Sequence, residues 1–241
     1  EKIDDIDLAT NLKPPQVEKV LNENNIKTIP TGIEHGTITA INNNKKFEIT
    51  SLRKDIKTDG RKALVEFTDD WYEDACRRDF TINSIYADLN GNLYDPFDGK
   101  KDLNNGEVKF IGDEQKRIHE DYLRILRYLR FFSQYSKKKH KENTKRFIKE
   151  NLKGIKQISS ERLFDEFKKI YKSNLISTLV KDMFCLEILK LIFPQFVNIE
   201  KLKDLKNNNI DFDIIISFLV LDDSDNADYF NYKFNLSNKL K

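Results

Sequence analysis

The 241-residue chain predicts an α+β fold in two parts: a head with a small mixed β-sheet and helices, then an all-α neck and partial body. Three observations predict it. Alternating runs of strand length, separated by Asn- and Gly-rich turns, fall in the first half. From Arg117 onward apolar residues recur at helical spacing, in segments divided by Lys/Asn-rich or Pro-containing breaks. The period changes near residue 113, so the expected division is 1–112 for the head and 113–241 for the helical part.

Taken in order, "DDIDLAT" reads as a first strand, with Asp5 and Asp7 at the i, i+2 spacing that puts two carboxylates on one face. Pro14 and Pro15 open a helix running to about Asn24, whose apolar face is Val17, Val20 and Leu21. Thr37–Asn42 and Phe47–Arg53 alternate as strands across the Asn-rich turn at 42–44. "SIYADL" and "NLYDPF" flank Asn90–Gly91, a primed-turn signal, and Val108–Gly112 is expected to be one more short strand. Helices are expected near 120–136, 142–152, 160–172, 175–192 and 210–221, with Ser160 capping the third and Leu163, Phe164 and Phe167 on its core face. Asp222–Lys241 is polar and carries no strong element signal.

Composition narrows the class. With 39% hydrophobic and 34% charged residues the chain fits a globular protein large enough to bury a core. The formal net charge of +2 does not itself identify a nucleic-acid binder. Lys137, Lys138, Lys139, Lys141, Lys145, Arg146 and Lys149 form a local basic cluster that suits phosphates and equally suits a solvated helix face. Cys76 and Cys185 lack metal-ligand spacing, so no structural zinc is expected and a reducing, cytoplasmic compartment is. The chain starts at Glu1, so an upstream targeting sequence stays open. No apolar run reaches membrane-span length, and no membrane partner is expected. His35, His119 and His140 read as turn or exposed helix-flanking residues.

Two charged patterns carry chemistry: "RRDFTIN" (Arg77 to Asn83) and "EDYLRILRYLR" (Glu120 to Arg130). On one continuous helix Asp121 and Arg124 would project together, a fixed acceptor beside a fixed donor. A base edge satisfying both carries an exocyclic amine next to an unprotonated ring nitrogen, as cytosine and adenine do and uracil and guanine do not. Taken alone, the pair also reads as an ordinary i, i+3 helix interaction. Asp5 and Asp7 suit two Mg²⁺ ions, and Glu48 in "FEITSL" is a candidate third carboxylate.

In this order the segments resemble the class II tRNA nucleotidyltransferase and bacterial poly(A) polymerase family, most closely its CCA-adding members. The resemblance runs from "DDIDLAT" through "IPTGIEHGTITA", "RRDFTINSIYADLNGNLYDPFDGKKDL" and "RIHEDYLRILRYLRF" to "ISSERLFDEFKKI", about the first 170 residues. It implies a polymerase-beta-like nucleotidyltransferase head in which Asp5 and Asp7 hold the catalytic Mg²⁺ ions. Arg77, Arg78, Asp79 and Asn83 would handle ribose and triphosphate. Asp95, Gly99 and Asp102 resemble a hinge-like element between C and A addition. Glu120, Asp121 and Arg124 would be the amino-acid template for CTP and ATP, with Arg127 and Arg130 continuing its basic face and Glu161 and Arg162 supporting it. The segment Arg53 to Arg61, with Asp55 and Asp59, resembles the flexible loop needed for the final A. The implied activity is template-independent addition of CCA to tRNA 3′ ends. The alternatives are a poly(A) polymerase of the same fold and a non-catalytic RNA-binding fragment or half of a split enzyme. The family's glycine-rich triphosphate element and its later body helices are not found in the sequence, so a chain truncated at both ends is expected; the oligomeric state is left open.

Overall fold

A computed structural model describes residues 6–59, 62–173, 175–205 and 210–234. By its contacts the backbone divides into two units, Glu1–Asp79 with Asn83–Phe97, and Phe80–Ile82 with Asp98–Lys241. Compared with a division near residue 113, the helical unit also takes in Asp98–Gly112 and a three-residue insert. The physical reason is Phe80, fully buried against Phe110, Tyr128 and Phe131.

The first unit is built on a sheet of β1 (Asp7–Thr10), β2 (Lys27–Gly32), β3 (Thr37–Asn42) and β4 (Lys45–Ser51) in the order β1-β4-β3-β2, with α1 (Pro14–Glu23) between the first two in sequence. β1 runs parallel to β4 and the other pairs are antiparallel, so the sheet is mixed as expected. Alternation sorts its faces. Ile38, Ala40, Phe47, Ile49 and Leu8 share one, and α1 packs against β2 and β3 with Val17 buried. Thr37, Thr39, Glu48, Thr50 and Asp7 share the other.

Turn chemistry differs from expectation in an instructive way. The primed turn is at Asn43–Asn44, both with positive φ (49° and 60°), which asparagine tolerates better than other side-chain-bearing residues. At Asn90–Gly91 only the glycine is left-handed (φ 82°), because Asp88 accepts from the Asn90 and Asn92 amides and closes a longer loop. The strands it joins are only β7 (Tyr86–Ala87) and β8 (Leu93–Tyr94). The expected strand Phe47–Arg53 breaks at Leu52. Beyond it, the segment expected to be a flexible loop contributes to a ribbon of β5 (Arg53–Asp59) and β6 (Lys62–Phe67); Arg61 lies outside the described residues. α2 (Trp71–Cys76) follows, capped by Asp70 accepting from the Tyr72 amide.

The second unit holds α3 (Gly99–Asn105), α4 (Glu114–Glu120), α5 (Arg124–Tyr135), α6 (Glu142–Asn151), α7 (Ser160–Lys172), α8 (Ile176–Lys181), α9 (Met183–Ile192), α10 (Phe212–Val220) and α11 (Asn226–Phe234). Val108–Gly112 is not a strand; only a bridge between Phe80 and Phe110 forms there. The helix expected over 120–136 is two, broken at Asp121–Leu123, and that over 175–192 is two, broken at Asp182, which caps α9 through the Cys185 amide. The α7 cap is Ser159 rather than Ser160. α11 was not expected: its Phe230 and Phe234 are buried among Phe164, Phe193 and Phe196. His140 is not an exposed flank but nearly buried, stacked on Phe132 at 3.6 Å between centroids. Burial pulls its imidazole below the usual value although Asp182 opposes this.

Candidate active site

The first cluster lies on the polar face of the sheet. The register sets Asp7 opposite Glu48 on adjacent parallel strands, so both carboxylates leave the same face, and both residues are exposed. Asp5 lies outside the described residues. Exposed carboxylate oxygens on a rigid strand pair are the donor set a hard divalent cation takes, so Asp7 and Glu48 fit Mg²⁺. Behind them the Thr37 and Thr50 hydroxyls are 3.1 Å apart, and Thr39, opposite Glu48, is buried.

The second cluster, in the same unit, is organised by a residue that sequence reasoning missed. Asp74 projects a carboxylate only 1% exposed. Its Oδ1 accepts from the Arg53 amide at 3.1 Å and from Arg77 Nε at 2.8 Å; its Oδ2 accepts from Arg78 Nη2 at 3.2 Å and from the Tyr86 hydroxyl at 2.6 Å. Burial alone would raise this carboxyl, but Arg77, the Tyr86 hydroxyl and Arg78 hold it below the usual carboxylate range. The Tyr86 phenol is pushed up to about 12 by burial and by Asp74. Burial and then the Arg77 charge lower the Arg53 guanidinium to about 10, against Asp55 and Asp74. Arg53, Arg77 and Arg78 thus crowd one carboxylate, leaving an excess of positive charge suited to a polyanion. The available signal for Asp74 was its i, i+3 and i, i+4 spacing from Arg77 and Arg78. Asp79 is buried, and Asn83 ends a short 3-10 turn, Thr81–Asn83.

The "EDYLR" segment departs from its expected geometry. Asp121 is not on the helix of Arg124; it ends α4 with extended backbone (φ −151°, ψ 105°). Its Oδ1 accepts from the Leu123 amide at 3.1 Å and its Oδ2 from Arg162 Nη2 at 2.7 Å. Each oxygen retains a lone pair for a further donor. Arg124, 6% exposed, donates from Nη1 to the Arg117 carbonyl at 2.6 Å and to Glu120 Oε2 at 2.7 Å, and Arg117 Nη1 reaches the same oxygen. Asp121 and Arg124 are therefore held by Arg162 and Glu120 and not by their shared helix face. Arg127 is half-buried. Arg130 donates from Nε to the buried Glu166 at 2.6 Å and lies over the Phe131 ring, tying α5 to α7. Of the hinge-like residues, Asp102 is buried, accepting from the Thr81 hydroxyl and Lys109, and Gly99 opens α3.

In the basic cluster Lys137, Lys138, Lys139 and Lys141 are exposed, whereas Lys145, Arg146 and Lys149 stand beside Glu142, Glu150 and Glu187. Among the described residues no helix is long and apolar enough to cross a membrane.

The family model described as "Poly A polymerase head domain" matches residues 1–109, and that described as "Probable RNA and SrmB- binding site of polymerase A" matches 141–199. The chain is 44% identical over 211 residues to human mitochondrial CCA tRNA nucleotidyltransferase 1, covering 86% of this chain and 49% of the relative. It is 34% identical over 241 residues to the CCA-adding enzyme of Staphylococcus haemolyticus, covering 99% of this chain and 59% of the relative. The structure resembles the Bacillus stearothermophilus CCA-adding enzyme in complex with CTP at a TM-score of 0.76 and 25% identity, over 100% of this chain and 59% of that one. The chain thus spans about half to three-fifths of the length of these relatives.

Proposed function

The chain belongs to the tRNA nucleotidyltransferase and poly(A) polymerase family, and from that premise we propose that it is the catalytic part of an enzyme adding C, C and A to tRNA 3′ ends from CTP and ATP. The observation that carries this reading is the pairing of Asp7 with Glu48 on one exposed sheet face, in the unit where Asp74 gathers Arg77 and Arg78. The names of the relatives support the tRNA substrate, and the CTP complex of the structural neighbour supports the nucleotide.

Asp7, with Glu48 opposite it, and Asp5 would hold Mg²⁺, which when bound activates a 3′-hydroxyl and neutralises departing pyrophosphate. Arg77 and Arg78 bind the triphosphate, with one carboxylate fixing them so that little reorganisation is needed as charge develops on the leaving group. Asp79 and Asn83 contribute to ribose and triphosphate handling. Asp121 accepts from the exocyclic amine of cytosine or adenine, Arg124 donates to the neighbouring ring nitrogen, and uracil or guanine would leave both mismatched. Arg127 adds charge on the same helix. Arg53, Asp55 and Asp59 of β5, with Arg61, serve the switch to A addition. The compartment in this reading is cytoplasmic; the mitochondrial human relative makes an organelle the competing outcome in cell fractionation.

The test offers CTP alone, ATP alone and both, with Mg²⁺, to a tRNA lacking its 3′ end, using this chain and a version extended upstream. Two C residues with CTP and one terminal A with both establish the reaction. Long A tails mean poly(A) polymerase instead. RNA binding without incorporation in either version would leave an RNA-binding fragment and sink the proposal.

A further inference from the structure

His140 leaves the α5–α6 linker and meets the α8–α9 junction. Its Nε2 is 3.3 Å from Asp182 Oδ2 and 3.6 Å from Cys185 Sγ, and the three donor atoms all lie within 4.8 Å of one another. One imidazole N–H shared between both neighbours makes two weakened bonds, and the Cys185 thiol also faces Asp182, so the three groups converge on one point. A tetrahedral ion with Zn–N, Zn–O and Zn–S bonds of about 2.0–2.3 Å would separate N from O by about 3.3 Å and S from both N and O by about 3.6 Å; the first two separations match, and the carboxylate and the sulfur, within 4.8 Å of each other, would close to the third on binding. The surroundings also suit a ligand set. The Tyr128 hydroxyl sits 2.9 Å from His140 Nδ1, where an outer partner orients a metal-binding imidazole. Asp182 Oδ1 is fixed by capping the Cys185 amide, leaving Oδ2 to the cluster. Phe132 and Phe184 enclose the ring, and Cys185 is 1% exposed.

We propose that His140, Asp182 and Cys185 form a binding site for a zinc-type divalent transition metal, in the helical unit. The sulfur and nitrogen donors select it over Mg²⁺. Without the ion, Tyr128 donates to Nδ1 and Nε2–H faces Asp182. On binding, the Cys185 thiol loses its proton to solvent as the sulfur–metal bond forms. The imidazole stays neutral, its proton exchanging to Nδ1 and donated to the Tyr128 oxygen, so one proton is released per ion. The ion staples the lysine-rich linker to the start of α9. A spacing rule for metal ligands does not find this cluster because His140 is 45 residues from Cys185 and reaches it only through helix packing.

Cobalt(II) is the probe, added to the whole 241-residue chain. A thiolate-to-cobalt charge-transfer band saturating at one ion per chain is expected, displaced by Zn²⁺ and not by Mg²⁺, retained in Cys76→Ser and lost in Cys185→Ser. Tyr128→Phe should weaken cobalt affinity roughly 10–100-fold, and Asp182→Asn, which keeps the helix cap, should also weaken it. Circular dichroism checks that each variant is folded. If Cys185→Ser is not, the Tyr128 and Asp182 variants decide. A folded wild type without the band, a band surviving Cys185→Ser, or affinities unchanged in both Tyr128→Phe and Asp182→Asn overturn the proposal.

Discussion

At the scale of single residues, the head turns on two kinds of carboxylate. Asp7 and Glu48 are exposed and act outward, so Asp7→Asn and Glu48→Gln should leave thermal unfolding nearly unchanged while lowering nucleotide incorporation by the complete protein, the former to background. Asp74 acts inward, as the shared acceptor of Arg77, Arg78 and Tyr86. Asp74→Asn keeps the shape but removes the charge that balances the guanidiniums. A drop in kcat/KM of roughly 10–100-fold, about 1.4–2.7 kcal/mol, is expected with both CTP and ATP. Because the folded Asp74 carboxyl lies below its ordinary value, its stabilisation is complete above that ordinary value and disappears as pH falls through the folded one. Wild type and Asp74→Asn should therefore differ most in denaturant stability near neutral pH and converge as pH falls through the lowered value of the folded carboxyl; a constant gap would exclude an ionic role.

At the scale of elements, the connector between α4 and α5 carries the clearest lesson about what a sequence can say. The periodicity of Tyr122, Ile125, Leu126 and Leu129 is real, and the last three do point into the core. It runs straight through a break, because Asp121 gains more from Arg162 and the Leu123 amide than from continuing the helix. Local pattern reports local period, whereas a partner 41 residues away is invisible to it. The same limit hid Asp74's hold on Arg53, β2, the β5–β6 ribbon and α11, whose packing depends on distant aromatics. By contrast, the β1 strand within "DDIDLAT" was legible because its alternation is carried within a few residues. A glycine fixes the connector as well. A Cβ at Gly154 would stand 2.3 Å from the Tyr122 ring, so Gly154→Ala should displace Tyr122, cost about 1–3 kcal/mol, and disturb the choice between CTP and ATP through Asp121. Arg162→Ala should disturb that choice with less loss of stability, since the pair is partly exposed. Misincorporation assays with all four nucleotides check both.

At the scale of the whole molecule, each unit has its own reason to stay folded. The first rests on a sheet with α1 packed on it, and Val17, Ile38, Ala40, Leu52 and Ala75 are among its buried apolar residues. The second has a continuous aromatic and aliphatic core in which Phe167 touches Phe193 and Phe196, and Phe230 joins Phe196 to Phe164. Cores of such different size and composition have different heat capacities and enthalpies of exposure, so one all-or-none transition is not required. Phe167→Ala removes a fully buried ring from the larger core and should cost about 3–5 kcal/mol there. Hydrogen exchange separates the two responses. Amides of α5, α7 and α9 should lose protection by that amount, while those of β3 and β4 keep theirs if the units open independently. Equal loss in both would mean that the head depends on the helical core for its stability, and nucleotide incorporation should then fall with temperature in parallel with α7 protection.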